Sequence, residues 1–583
     1  MGGLRGTGLS PAGRSGRRFF RRQALTAMGL LVLPYAVLMF TGPRGSTYTG
    51  ILFNPNDTFL YYAQMAQAQH GAWLFRDYFT YLPAQPLLAY TLYSLIGHLV
   101  PTALGAIGLG LGYHLARLAL AAVFIWQAWL LYGEATASRA VRRVGFLFLL
   151  FTSGVGVYQL LVPALRTPEP PFDLLITESS TYAGLVFSPH FAAVLLGMLV
   201  YMRMVLMVSR RPVRGGLVPA LVGALAALLA VTIHPDKAAV LGIGTLLFIA
   251  CQALTRRVSR GALLLTCCML VPSLPYVAYS FTLTAGDPQI RSLMAQGLPH
   301  EAVSDPLVYY GFGFGLPLLL ALAGVPRLVR MWRRPDEGDA LMWAFVIAGF
   351  AIILVPFHNV GHRAEGLQLA LAFLAGRGAV QVVMPRLWRA RAYRALAHRR
   401  PFGFSRRRLR LLTLNLLLIF SSTSVLGLTF ASPRAVVAGA PEAYVSRDDR
   451  AALSWLNDHA HRDDVAVGEG TSSQFLVAYG AVRAAWGSFA YTPGYDLEGQ
   501  RLAAFYLGRD DPQKYLQDRR VRWVYFGARE RRYARIRPEQ MPFLRPAFSS
   551  GDTDIYEVAR ASAASDAPPG PSALQWPPFR RPR

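Results

Sequence analysis

Charge is scarce in this 583-residue chain: 16% of its residues are Asp, Glu, Lys or Arg, where an average soluble domain carries about 25%. Lysine is scarcer still. Lys237 and Lys514 are the two lysines among 59 basic residues, so arginine carries the net charge of +27. Cysteine occurs at Cys251, Cys267 and Cys268, each inside an apolar run. That spacing excludes a disulfide framework and a cysteine-based metal site. There is no P-loop, no glycine-rich fingerprint after a strand and no Ser-His-Asp spacing, so ATP-driven chemistry has no support. What the chain has instead is apolar length: 53% hydrophobic residues and a mean hydropathy of +0.32. Disorder, collagen and small disulfide scaffolds are excluded for the chain as a whole. A polytopic membrane protein with one soluble appendage remains.

Eleven apolar runs are each long enough to cross roughly 30 Å of hydrocarbon at about 1.5 Å per residue. They lie near 24–40, 113–132, 143–162, 184–208, 217–233, 238–255, 261–281, 307–326, 340–357, 364–384 and 411–431. The arginines fall in alternate loops: Arg139, Arg142 and Arg143; Arg210, Arg211 and Arg214; Arg256, Arg257 and Arg260; Arg327, Arg330, Arg333 and Arg334; then the stretch from Arg386 to Arg410. The positive-inside rule accounts for that alternation in one orientation, with the N-terminus cytoplasmic, and makes nucleic acid an unneeded explanation for a pI near 10.5. Gln85 to Val100 is apolar but short and reads as a re-entrant half-helix. The odd count puts the C-terminus outside. The resulting plan is a basic cytoplasmic segment (1–24), a transmembrane helical domain (25–431), an extracytoplasmic α/β domain (432–560) and a disordered tail (561–583). In the third part, Arg447 to His459 has a helical pattern, while Val465–Val467, Trp523–Phe526 and Ile555–Val558 read as strands.

Ionisable groups that interrupt apolar patterns gather on the expected outer face, where a membrane protein's chemistry is to be sought. The first outer loop holds Asn56 and Asp57, followed by the aromatic helical stretch that includes Tyr61. As plain structure, Asp57 is a helix N-cap. The second loop carries Glu178, with His190 just inside the next span. The turn His234-Pro235-Asp236-Lys237 holds one of the two lysines. It is either a snorkelling lysine paired with Asp236 or a point charge for a phosphate. A later loop has His358, His362, Arg363 and Glu365. The two histidines have the spacing of a helical metal pair, but Gly361 and the lack of an intervening glutamate argue against a zincin. Arg363 runs against the charge bias. Together these loops supply acids, histidines and cations at one face, as a base and an anion site require.

Asn56-Asp57 with its aromatic helix resembles the first outer loop of the GT-C class of integral-membrane glycosyltransferases. That class includes protein O-mannosyltransferases and bacterial lipid A aminoarabinose transferases. Ser153-Gly154-Val155-Gly156 and the stretch from Glu178 to His190 are similar to uncharacterised bacterial proteins of this type. The resemblance covers residues 25–560 in layout. It implies a mainly α, GT-C-like bundle and a sugar donor on a polyprenyl phosphate at the outer leaflet of the cell membrane. It also implies a glycan, lipid or protein acceptor, with no nucleic acid involved. Asp57 becomes the base and Glu178 an assisting acid. Lys237, Arg363, His234 and His362 become candidates for the departing phosphate, and Asn56, His190 and Tyr61 for the acceptor side. Many members carry paired acids where this chain has Asn56 before Asp57, which leaves a divalent cation open. A transporter or flippase for a lipid-linked glycan, and an inactive scaffold relative, are the competing expectations.

Overall fold

The computed structural model describes residues 11–254, 260–296, 305–326, 336–354, 361–399 and 404–559. Expectations for the tail after 560, for His358, and for the arginines at 256, 257, 327, 330, 333 and 334 lie outside the described residues.

Among the described residues the chain is a transmembrane helical bundle with a sheet region after it. Seven helices are long and apolar enough to cross a membrane: Ser15–Thr41, Ile107–Ala135, Pro189–Ser209, Val213–Ile233, Lys237–Leu254, Arg260–Gly286 and Leu367–Arg389. Arg406–Ser421 and Thr423–Gly439, bent by 46° at Ser422, bring the number to eight if the pair is one span. Seven or eight of the eleven expected spans reach that length among the described residues. Three expected spans fall on shorter helices of 13, 17 and 17 residues: Arg139–Phe151, Pro306–Leu322 and Glu337–Ile353. Their limits have local causes. Thr152 turns extended after Phe151. Gly315, at φ 49°, breaks the helix it sits in, a conformation glycine adopts without a Cβ penalty. Gln85 to Val100 yields a nine-residue helix, Thr91–Leu99, too short to cross.

The first span separates two unlike ends. At its start, Ser15 receives a hydrogen bond from Arg143 (3.0 Å). Elsewhere on arginine-bearing loops and helix ends, Arg210 pairs with Glu337 (2.7 Å), Arg203 with Glu134 (2.7 Å) and Arg377 with Asp336 (3.1 Å) and Asp339 (2.5 Å). Past its other end, strand β1 (Ser46–Tyr48) pairs antiparallel with β2 (Tyr444–Ser446), Thr47 opposite Val445. The first loop and the C-terminal region therefore lie on one side.

That region holds a five-stranded sheet in the order β4-β3-β5-β7-β6, from β3 (Val465–Val467), β4 (Arg483–Ala484), β5 (Val521–Phe526), β6 (Leu544–Ser550) and β7 (Thr553–Val558). The strands β4, β3 and β5 run parallel, and β7 is antiparallel to both β5 and β6. The expected helix is there as Arg447–His459, with Ser446 accepting from the Asp449 amide as its cap. Its buried face of Ala452, Leu453 and Leu456 joins a core shared with the first loop. Phe59, Tyr62, Phe75 and Phe79 of the loop pack with Phe475, Leu476 and Trp523 of the sheet region. Removing such apolar area from water, at roughly 25 cal/mol per Å², ties the two segments into one body above the bundle.

Candidate functional site

The helix Pro55–Gln69 begins under an unusual cap. Asn54 has φ 45° and its side chain accepts from the Asp57 amide (3.4 Å). Its Nδ2 donates to Asp57 Oδ2 at 2.6 Å. Pro55, with no N–H to leave unpaired, opens the first turn. The cap is thus Asn54, and the sequence reading of Asp57 as the cap is corrected. Asp57 stands one turn in, half-buried, where a carboxylate meets the positive end of the helix dipole. Asn56 faces the sheet region and accepts a hydrogen bond from Gln474.

A tyrosine stack leads from Asp57 toward the bundle. Tyr61 lies flat on Tyr93, centroids 4.2 Å apart at 9°, and Tyr93 on Tyr113 at 6.0 Å and 11°. Burial, and then the nearby Asp57 charge, pushes the Tyr61 phenol well above its ordinary value, so it stays neutral. The Tyr93 hydroxyl meets His190 Nδ1 at 2.7 Å. His190 sits in the first turn of Pro189–Ser209, and its ring is 5.4 Å from that of His234.

His234 opens a buried charge network. Its Nδ1 is 2.6 Å from Glu365 Oε2. Lys237 Nζ is 2.7 Å from Asp236 and 3.6 Å from Glu365. Burial alone would lower the His234 pKa, but the Glu365 carboxylate raises it above its ordinary value. Burial would likewise raise Asp236, and Lys237 holds it down. Glu178, buried and hydrogen-bonded by the Thr177 hydroxyl (2.5 Å), lies within electrostatic reach of Lys237. Lys237 is fully buried. It pairs with the exposed carboxylate of Asp236 on one side and approaches the buried Glu365 on the other, so its ammonium is covered by the protein rather than snorkelling to water. Arg363, half-buried, lies within electrostatic reach of Tyr310. The His362 side chain is outside the described residues.

The structure thus links Asp57, Tyr61 and His190 in one track, and Lys237, His234 and Glu178 in an adjoining network. Among the described residues no three His, Cys, Asp or Glu side chains are grouped to hold a metal ion.

Three participants were given no role by the sequence alone. Asn54 orients Asp57, and an Asn-Pro pair before an apolar helix is a readable cap signal. Glu365 closes the His234–Lys237 network from 131 residues away. Asp77 is buried, with Oδ1 accepting from the Phe79 amide (2.8 Å) and Oδ2 without a partner. Burial pushes its carboxyl up to about 7, against the lowering effect of the Phe79 amide and Arg483. Nothing local in the sequence marks Asp77.

No protein-family model matches the sequence, and no curated protein matches it. Solved structures do match. The Archaeoglobus fulgidus oligosaccharyltransferase tethered with an acceptor peptide aligns at TM-score 0.53 and 14% identity, over 88% of this chain and 69% of that one. Archaeal oligosaccharyltransferase AglB from Archaeoglobus fulgidus, in complex with an inhibitory peptide and a dolichol-phosphate, aligns at 0.50 and 11%, over 87% and 69%. ArnT from Cupriavidus metallidurans bound to undecaprenyl phosphate aligns at 0.49 and 13%, over 95% and 99%. The fold of this chain is GT-C-like.

Proposed function

We propose that this chain is a membrane glycosyltransferase that moves a sugar from a polyprenyl-phosphate donor to a hydroxyl-bearing acceptor at the outer membrane face, with Asp57 as base. The observation that carries the reading is the placement of Asp57: held by Asn54 at a helix N-terminus, half-buried, beside a tyrosine stack that leads to buried cations. The dolichol-phosphate in the AglB complex, a protein of similar fold, supports a lipid-phosphate donor.

In this reading Asp57 takes the proton of an acceptor hydroxyl as its oxygen attacks the anomeric carbon. The bond from that carbon to the donor phosphate oxygen breaks, and its electrons leave with the phosphate. A positioned carboxylate contributes roughly 10²–10⁴-fold in such a step. Tyr61, His190 and Asn56 shape the acceptor side, and Glu178 assists from the second loop. The leaving phosphate needs cations fixed in advance. Lys237 and Arg363 are the candidates for it, with His234 and His362 behind them. Sidedness follows from the arginines: the N-terminus and basic loops inside, Asp57 and the C-terminal sheet region outside. No step is routed through a metal ion.

The test uses the full chain purified in detergent. Mass spectrometry of carried lipids should find a polyprenyl phosphate or its glycosylated form in wild type and in Asp57→Asn, with less in Arg363→Ala. Turnover of a polyprenyl-phosphate sugar should be lost in Asp57→Asn. Wild-type turnover by Asp57→Asn, or only bulk phospholipid in every variant, overturns the reading. Transport of the lipid-linked sugar that persists in Asp57→Asn would instead establish the flippase alternative.

A further inference from the structure

A cavity of about 340 Å³ lies beside the first loop, apart from the Lys237 network. Three segments wall it. Phe75, Asp77, Leu87 and Tyr90 come from the first loop, Leu283 to Leu293 from the end of the Arg260–Gly286 span and the helix after it, and Tyr491 from the sheet region. The walls are held in place by hydrogen bonds. The Leu88 amide donates to the Tyr279 hydroxyl (2.9 Å), the Tyr276 hydroxyl donates to the Leu88 carbonyl (3.2 Å), and the Tyr90 and Tyr491 hydroxyls meet. The cavity is a built feature of packed elements.

Its chemistry is one-sided. The lining is mostly apolar, with Asp77, Asp287, Gln85 and Gln289 as its polar side chains besides the two tyrosine hydroxyls. Asp287 spends one oxygen capping the helix Pro288–Gln296, on the Gln289 and Ile290 amides (2.8 and 3.1 Å). Asp77 is buried, and its Oδ2 has no partner. A buried acceptor left unpaired costs about 1–3 kcal/mol, and a donor on a ligand removes that cost. No Arg, Lys or His lines the cavity among the described residues. A phosphate or carboxylate head would therefore meet two acids and no cation.

Position adds the rest. The cavity sits where a candidate span ends, and Phe281 on that span is 74% exposed, an apolar face for lipid. On the other side, Tyr90 feels the charges of both Asp57 and Asp77. It lines the cavity and lies within electrostatic reach of the proposed base.

We infer that this cavity is the acceptor subsite, and that the acceptor is an amphiphile with a non-anionic, hydroxyl-bearing head that donates to Asp77 and an apolar body among Leu87, Leu283, Ile290 and Leu293. The inference rests on the glycosyltransferase reading for the word acceptor, while the cavity's ligand class is testable by itself. Asp77 is a binding residue here. The proton-accepting role stays with Asp57.

The test places the full chain in phosphatidylcholine nanodiscs and labels it with a photoreactive alkyl glucoside. Labelled peptides should fall within residues 84–90 and 283–293. Octyl glucoside should compete, and octyl phosphate should not. Leu293→Trp and Ala89→Phe fill the cavity from two walls, so one remains if the other fails to fold, and each should abolish the labelling. Asp77→Leu should weaken it about tenfold, the worth of one hydrogen bond at a buried group. Labelling spread along the lipid-facing helices and unmoved by either filling variant overturns the subsite. Equal competition by octyl phosphate or by polyprenyl phosphate overturns the ligand class and gives the cavity to the donor. Carried polyprenyl phosphate and donor turnover, measured on the same wild-type preparation, separate failure of this inference from failure of the glycosyltransferase reading.

Discussion

Two regions hold a buried carboxyl in opposite circumstances. In the network around Lys237, the buried Glu365 faces a lysine and a histidine, and the exposed Asp236 adds a second carboxylate to the lysine. In the first loop, Asp77 is buried with one oxygen on a backbone amide and the other unmatched. Asp57 is half-buried, with one carboxyl oxygen accepting from the Asn54 side-chain amide. The contrast teaches where binding capacity lies. A buried ion pair is weak evidence of net stabilisation, but breaking one partner is costly, because the other is left charged in a poor solvent. A buried carboxyl oxygen with no hydrogen-bond partner, as in Asp77, has capacity left for a ligand.

The sharpest way to break the comparison is at Lys237. Lys237→Met should destabilise by about 3–5 kcal/mol, the cost of orphaning a buried partner, read as lost yield and a large fall in Tm. A Tm equal to wild type would show that the network is no structural unit. Asp57→Asn should do the reverse. Turnover should fall at least about 10²-fold, while Tm moves by no more than a surface change does, within about 0.5 kcal/mol.

The next contrast is in pH. Asp77 rises from an ordinary value of 3.8 to about 7 on folding. A raised folded value means that its contribution to stability is fully present below about 4 and is lost as pH rises through 7. His234 also rises, from 6.5, so its contribution is present below 6.5 and is lost at higher pH. Stability of the detergent-purified chain should therefore decline with pH in two windows. Asp77→Asn should flatten the one between about 4 and 7, and His234→Gln the one above it. A single window removed by either variant alone would merge the two regions. The smallest effect belongs to the basic end. Arg143→Ala removes a hydrogen bond to Ser15 between exposed side chains, and should change Tm by less than the equivalent of about 0.5 kcal/mol.

Parts of this were legible from residues close in sequence. The sheet strands at Val465, Trp523 and Ile555 showed in their β-branched and aromatic runs, and the helix at Arg447 in its apolar face. The edge strands Arg483–Ala484 and Leu544–Ser550 did not. One is two residues long, the other is mostly exposed and contains Pro546, and neither has a pattern to read. The extra spans were counted because hydropathy does not see a break. Val144–Phe151 is an apolar run, yet the helix stops where Thr152 turns extended.

The sequence by itself determined that this chain makes apolar helices of membrane length, that its arginines gather in clusters between apolar runs, and that a capped helix begins near Asp57. Each of these depends on neighbours a few residues apart. Only the tertiary structure decided that Glu365 joins His234, that Lys237 is buried, that β1 meets β2 across nearly 400 residues, and that Asp77 is left with an unmatched oxygen. Burial and pairing are properties of what packs over a residue, and the segments that pack there come from distant parts of the chain.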